Sequence, residues 1–200
     1  KEITDEMGIP SYIRGAWYSR IFFWGKLNKI LKISNLDSKK TILDFGCGTG
    51  ILLPDLTKTN RVVFATDIVP DVSKCLVKKL KLKNVNFIDS NNWAEKINSN
   101  SLDLIIAANV LEHVSNVKEL LMVFMDKLKD DGIIIISGPT ENRLYKLGRW
   151  IINFEGDYHV RDIFDIFNDA ISVGLKIDKL KRYPLPGPLC LYRIASFKKY

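Results

Sequence analysis

Cysteine and histidine are scarce in this chain. Its three cysteines, Cys47, Cys75 and Cys190, stand far apart in 200 residues. They show no CxxC and no Cys/His metal spacing. Such an odd, scattered set excludes a disulfide framework and reads as reduced thiols of a cytoplasmic protein. No metal is expected. Long apolar runs are missing too. Purely aliphatic stretches such as Ile133 to Ile136 are far too short to span a bilayer. There is no internal repeat, no low-complexity segment and no signal-peptide pattern. The chain opens at Lys1 rather than Met, which leaves room for native residues ahead of it. RNA-binding signatures and zinc-finger spacings are absent.

What is present is an ordinary globular composition, 46% hydrophobic and 26% charged. Its length suits one domain with a short appendage and is enough for an unstapled core. The net charge of +7 admits an anionic partner such as a nucleic acid or a membrane surface. The plainer reading is a Lys-, Asn- and Ile-rich composition of the kind AT-biased coding produces.

From about Thr41 short apolar runs alternate with longer amphipathic ones, the mark of βαβ units around a parallel sheet. The apolar runs are 41–45, 61–67, 85–89, 102–108 and 132–137. They are continuous, as in strands buried on both faces. Helices are expected at about 50–59, 71–82, 92–98 and 116–129, with Pro70-Asp71 as a helix start. A further helix fits 11–33, and two more fit 142–153 and 160–173. The tail reads as strands 175–183 and 189–197 around a stiff Pro184–Pro188 turn.

The strongest local signal is ILDFGCGTG, residues 42–50, in which a strand runs straight into Gly46, Gly48 and Gly50. Glycine turns tightly there and brings bare backbone amides close to a ligand. Open α/β sheets bind ligands at such strand ends. A dinucleotide fingerprint wants its third glycine where Ile51 stands, and a phosphate loop wants an absent Gly-Lys-Ser/Thr. Asp44 at the mouth repels a pyrophosphate and suits a cationic ligand.

DFGCGTG resembles motif I of the class I S-adenosylmethionine-dependent methyltransferases, and the rest of the chain follows that family's order. The likeness covers residues 40–140 well and the closing hairpin loosely. It implies a Rossmann-like α/β fold, with a mostly parallel seven-stranded sheet, a C-terminal antiparallel hairpin and helices on both faces. It also implies S-adenosyl-L-methionine as donor and S-adenosyl-L-homocysteine as product. Asp44, Gly46, Cys47, Gly48, Thr49 and Gly50 then form the donor loop, with Cys47 a small packing residue given no chemistry. Asp67 in ATDIVP would hold the ribose hydroxyls, and Ile68 would lie against the adenine. Asp89, with the Ser90 amide, would stand near the adenine amino group. Asn109 and Val110 of NVLEHV would meet the methionine end. Asp67 and Asp89 each read also as a helix N-cap or a solvated loop acid.

Methyl transfer from an activated donor needs mainly proximity and alignment, with a base only if the acceptor must lose a proton. Catalytic candidates are therefore few. His113 reads as a positioning residue in NVLEHV. His159 in GDYHVRD reads equally as an acceptor-side base and as a loop histidine or helix cap. Tyr145 and Tyr158 are acceptor contacts or packing. Residues 1–36 are expected as an N-terminal helical lid or acceptor-side appendage. Residues 37–200 form the donor-binding domain, with 139–160 an acceptor-side insertion.

The expected acceptor is a small or lipid-like molecule entering between those two segments, not a nucleic acid. Deleting residues 1–33 should then abolish turnover while largely sparing donor binding. The aromatic and basic residues of both segments fit a packed lid or, more sharply, a peripheral membrane-surface contact. The alternatives are a nicotinamide-linked dehydrogenase, disfavoured by Ile51 and Asp44, a donor-binding module without catalysis, and an RNA methyltransferase. The amino-methylating tetrapeptide, Asn/Asp-Pro-Pro-aromatic, is replaced by NVLE.

Overall fold

A computed structural model describes residues 16–142 and 161–200. The order of main elements is α1 (Trp17–Ser34), β1 (Thr41–Phe45), α2 (Leu53–Leu56), β2 (Val62–Thr66), α3 (Asp71–Leu80), β3 (Val85–Phe87) and α4 (Trp93–Lys96). Then come β4 (Leu102–Ala108), α5 (Val117–Lys127), β5 (Leu128–Pro139), α6 (Ile163–Ser172), β6 (Leu175–Pro184) and β7 (Cys190–Lys199). One seven-stranded sheet runs β3-β2-β1-β4-β5-β7-β6, and only β7 and its neighbours pair antiparallel. This is the expected parallel sheet closed by a hairpin.

Side-chain alternation divides the core into two layers. Leu43, Ile105, Ile134, Ile136 and Phe197 face α4, α5 and α6, where Trp93, Leu121, Phe124 and Phe167 complete one cluster. Ile42, Leu104, Ile106, Ile135 and Ile194 face the other way, against Leu53 and Leu56 of α2 and Leu27, Ile30 and Ile33 of α1. Each such buried side chain contributes roughly 1.5–3 kcal/mol. α1 is therefore a core element of the second layer.

The elements fall close to their expected limits, with two differences. The helix expected at 50–59 is broken, because Thr59 takes φ +62° and turns the chain after the short α2. β5 runs back to Leu128, directly behind α5. β6 is an edge strand, largely exposed and studded with Lys176, Lys179, Lys181 and Arg182, charges that discourage edge-to-edge pairing. The helix expected at 142–153 lies outside the described residues beyond Asn142. No helix among the described residues is long and apolar enough to cross a membrane.

Candidate functional site

Most of the expected donor residues lie at the carboxyl ends of β1, β2 and β4, around the sheet's order reversal, and Asp89 and Ser90 follow β3. Gly46, Gly48 and Gly50 all adopt positive φ, +69°, +51° and +76°. A Cβ on Gly46 would stand 2.4 Å from Val110 Cγ2, so Val110 presses directly on the loop. A Cβ on Gly48 would meet nothing within 4 Å. Gly48 therefore lies against an open space that only a glycine leaves fully clear.

The amides of this loop are not bare, contrary to the expectation. Gly46 and Cys47 N–H groups both donate to Thr66 O, at 2.9 and 3.0 Å, and Gly50 N–H donates to Cys47 O. Gly48 N–H donates to Asp67 Oδ2 at 2.7 Å. With these donors consumed, the loop offers little to a phosphate. It offers carboxylates instead. Asp44 is 2% exposed, and its Oδ2 has no hydrogen-bond partner among the described residues. Burial, helped by the nearby Asp67 charge, pushes the Asp44 carboxyl up to about 7. An orphaned buried carboxyl beside a second acid is a site waiting for a cation or a hydrogen-bond donor.

Asp67 is held in place by two amides, Gly48 N–H and Val69 N–H, the latter at 3.0 Å on Oδ1. Each oxygen keeps a lone pair for a further donor such as a sugar hydroxyl. Ile68 beside it is 85% exposed, an apolar side chain at the crevice with nothing among the described residues folded over it. These features fit an S-adenosylmethionine-like ligand: carboxylates for its cationic amino-acid end and hydroxyls, and an uncovered apolar face for its base.

Asp89 is exposed, and its Oδ1 accepts from Asn91 N–H and Nδ2 at 2.8 and 3.0 Å, a local turn. Ser90 and Thr49 are half-buried. Cys47 is buried, with Sγ 3.6 Å from Ser73 Oγ, and burial pushes its thiol up and away from reactivity. Asp103 receives Lys40 and Thr41 N–H groups and Lys129 Nζ, tying the starts of β1 and β4 together well away from the crevice.

The turn after β4 splits its residues. Leu111 and Glu112 point inward and are buried, whereas His113 is exposed. His159, Tyr145 and Tyr158 lie outside the described residues. Asn109 takes φ +58°, and its N–H bonds to Ser137 O. Its side chain is gripped from three sides. Lys26 Nζ donates to Oδ1 at 3.0 Å, Ser137 Oγ approaches the same oxygen at 3.3 Å, and Nδ2 donates to Glu112 Oε1 at 3.4 Å.

Sequence reasoning missed Lys26, Glu112 and Ser137. A signal for Lys26 was present: it precedes Ile30 by four residues and Ile33 by seven, so it falls on the apolar stripe of α1. No group of His, Cys, Asp and Glu suited to a metal ion occurs among the described residues.

A family model described as a methyltransferase domain matches residues 21–171. The ubiquinone biosynthesis O-methyltransferase of Rickettsia canadensis is 34% identical over 124 residues, 60% of this chain and 50% of that protein. The mitochondrial ubiquinone biosynthesis O-methyltransferase of Schizosaccharomyces pombe is 27% identical over 162 residues, 78% of this chain and 57% of its own. The chain thus spans about half the length of the curated relatives it matches. In fold, it resembles a SAM dependent methyltransferase from Archaeoglobus fulgidus, with TM-score 0.72 at 18% identity, covering 95% of this chain and 97% of that one.

Proposed function

The chain belongs to the methyltransferase-domain family, whose methyl donor is S-adenosylmethionine, and on that premise we propose that it methylates an oxygen of a small or lipid-like acceptor by in-line displacement. The observation that carries the donor half is Asp44, buried and orphaned beside Asp67 and the open face of Gly48. The relatives named for ubiquinone biosynthesis support oxygen as the acceptor atom. In this reading Asp67 takes the ribose, Ile68 the adenine and Asp44 the cationic end. Asp89 and Ser90 border the base, and Asn109 and Val110 border the methionine end. α1, although part of the core, and the 139–160 segment wall the acceptor. His113 positions the turn, and His159 is the candidate base for an acceptor hydroxyl.

The experiment is a transfer assay with labelled methyl donor. Its acceptors are a prenylated hydroxybenzene in detergent, an aqueous metabolite extract, and purified RNA. Label in the organic-extractable fraction supports the reading. Label only in RNA, with a steep salt dependence, replaces it with the nucleic-acid reading.

A further inference from the structure

α1 buries one charge where its other partners are Leu27, Ile30 and Ile33. Lys26 is 3% exposed, although Lys29 and Lys32 on the same helix reach solvent. A buried ammonium is costly, and a methionine of similar length would fill the same space without that cost. What the lysine adds is a grip on one atom. Its Nζ sits 4.4 Å from the centroid of the Tyr192 ring and 5.2 Å from that of Phe23, aimed at Asn109 Oδ1. Asn109 is the residue whose left-handed backbone ends β4, and the next residue, Val110, presses on Gly46 of the glycine loop. Contacts thus run from α1 through one asparagine to the loop.

We propose that Lys26 is a positioning residue: through Asn109 it fixes the turn after β4, and so the shape of the site that takes the donor's methionine end. The proposal rests on the donor-site reading above. The ammonium is the form with the strong, charge-assisted hold. Burial draws it down to about 8, with the Glu112 carboxylate pulling the other way. The groups facing it from neighbouring elements are Glu112 after β4, Ser137 of β5 and the Tyr192 phenol of β7. Tyr183 of β6 is occupied with Phe22 O on the same helix at 2.7 Å. The hold therefore weakens just above neutral pH.

The test uses S-adenosylhomocysteine as the probe, read by calorimetry from about pH 7 to about pH 9.5, with thermal melts of each variant. Lys26→Met should bind the probe on the order of 10–100-fold more weakly, with a melting temperature unchanged or raised. Lys26→Arg keeps its charge, so it should restore most of the affinity. It should also lose the decline near pH 8 that the wild type shows beyond the probe's own amine titration, which is common to both. Titration of Lys26 by the NMR shift of its ε-carbon should centre near 8. Unchanged affinity in Lys26→Met, a loss that tracks a lowered melting temperature, or an ordinary lysine titration overturns the proposal. Absence of probe binding in the wild type overturns the donor-site reading itself, and the proposal with it.

Discussion

The ends of β1 and β2, and the ends of β4 and β6 with the start of β7, share one edge of the sheet but are assembled by different means. On the first side the decisive contacts join residues close in sequence. Gly48 reaches Asp67 across 19 residues, Asp67 reaches Val69, and Asp89 reaches Asn91. On the second side they join distant ones. Lys26 meets Asn109 across 83 residues, and Tyr183 meets Phe22 across 161. The first side is a βαβ motif that carries its own instructions, because turn glycines and strand-end acids act within one crossover. The second exists only once α1 has docked, so a local pattern can place Lys26 on the buried stripe of α1 but cannot name its partner.

The sharpest break in that contrast comes from α1. Ile30 is fully buried, and Ile30→Ala should cost about 2–5 kcal/mol of stability, measured by chemical denaturation. Removing residues 1–33 takes Leu27, Ile30 and Ile33 from the core together. Such a truncation should lose cooperative unfolding as well as donor binding, against the expectation that binding would survive it. A truncated chain that melts cooperatively and binds S-adenosylhomocysteine would make α1 a dispensable lid.

Within the loop, the glycines should separate. Gly46→Ala drives a Cβ into Val110 and should cost about 1–3 kcal/mol from overpacking, added to positive-φ strain. Gly48→Ala meets nothing and carries only the strain, about 1–2 kcal/mol. Equal losses in denaturant melts would mean that Val110 simply moves aside. Asp67→Ala should leave the fold intact and weaken S-adenosylhomocysteine by about 1–3 kcal/mol in calorimetry, since it removes charge-assisted hydrogen bonds.

The pH dependence sharpens the donor side. A cationic ligand prefers the Asp44 carboxylate, yet in the free protein that carboxyl stays protonated up to about 7. Affinity for S-adenosylhomocysteine should therefore fall as pH drops through 7, by at most about tenfold per pH unit. Ligand-free stability should run the other way. The folded state holds a proton that the unfolded chain releases near 3.8, so stability declines as pH rises from there to about 7. A flat affinity profile between about pH 6 and about pH 7.5 would remove Asp44 from the ligand's surroundings. The smallest effect is expected at Asp89. Its carboxylate is exposed and bonded to Asn91, so Asp89→Ala should weaken binding by about 1 kcal/mol or less.

The sheet, its closing antiparallel hairpin and the family were legible in the chain. They depend on period, on glycine placement and on acids at strand ends, all properties of short windows. DFGCGTG, ATD and NVLEHV needed no partner to be recognised. Three things were decided only by folding. The loop amides turned inward to Thr66 and Asp67, because the parallel pairing of β1 with β2, Phe45 opposite Thr66, brings those acceptors within reach. Asp44 is buried with Oδ2 unpaired among the described residues, which no local pattern reports, because β1 is enclosed between β2 and β4 only in the folded sheet. Lys26, one cation among 30 Lys and Arg in the sequence, became a buried contact of the site, because helix docking alone determines which charge is driven against Asn109.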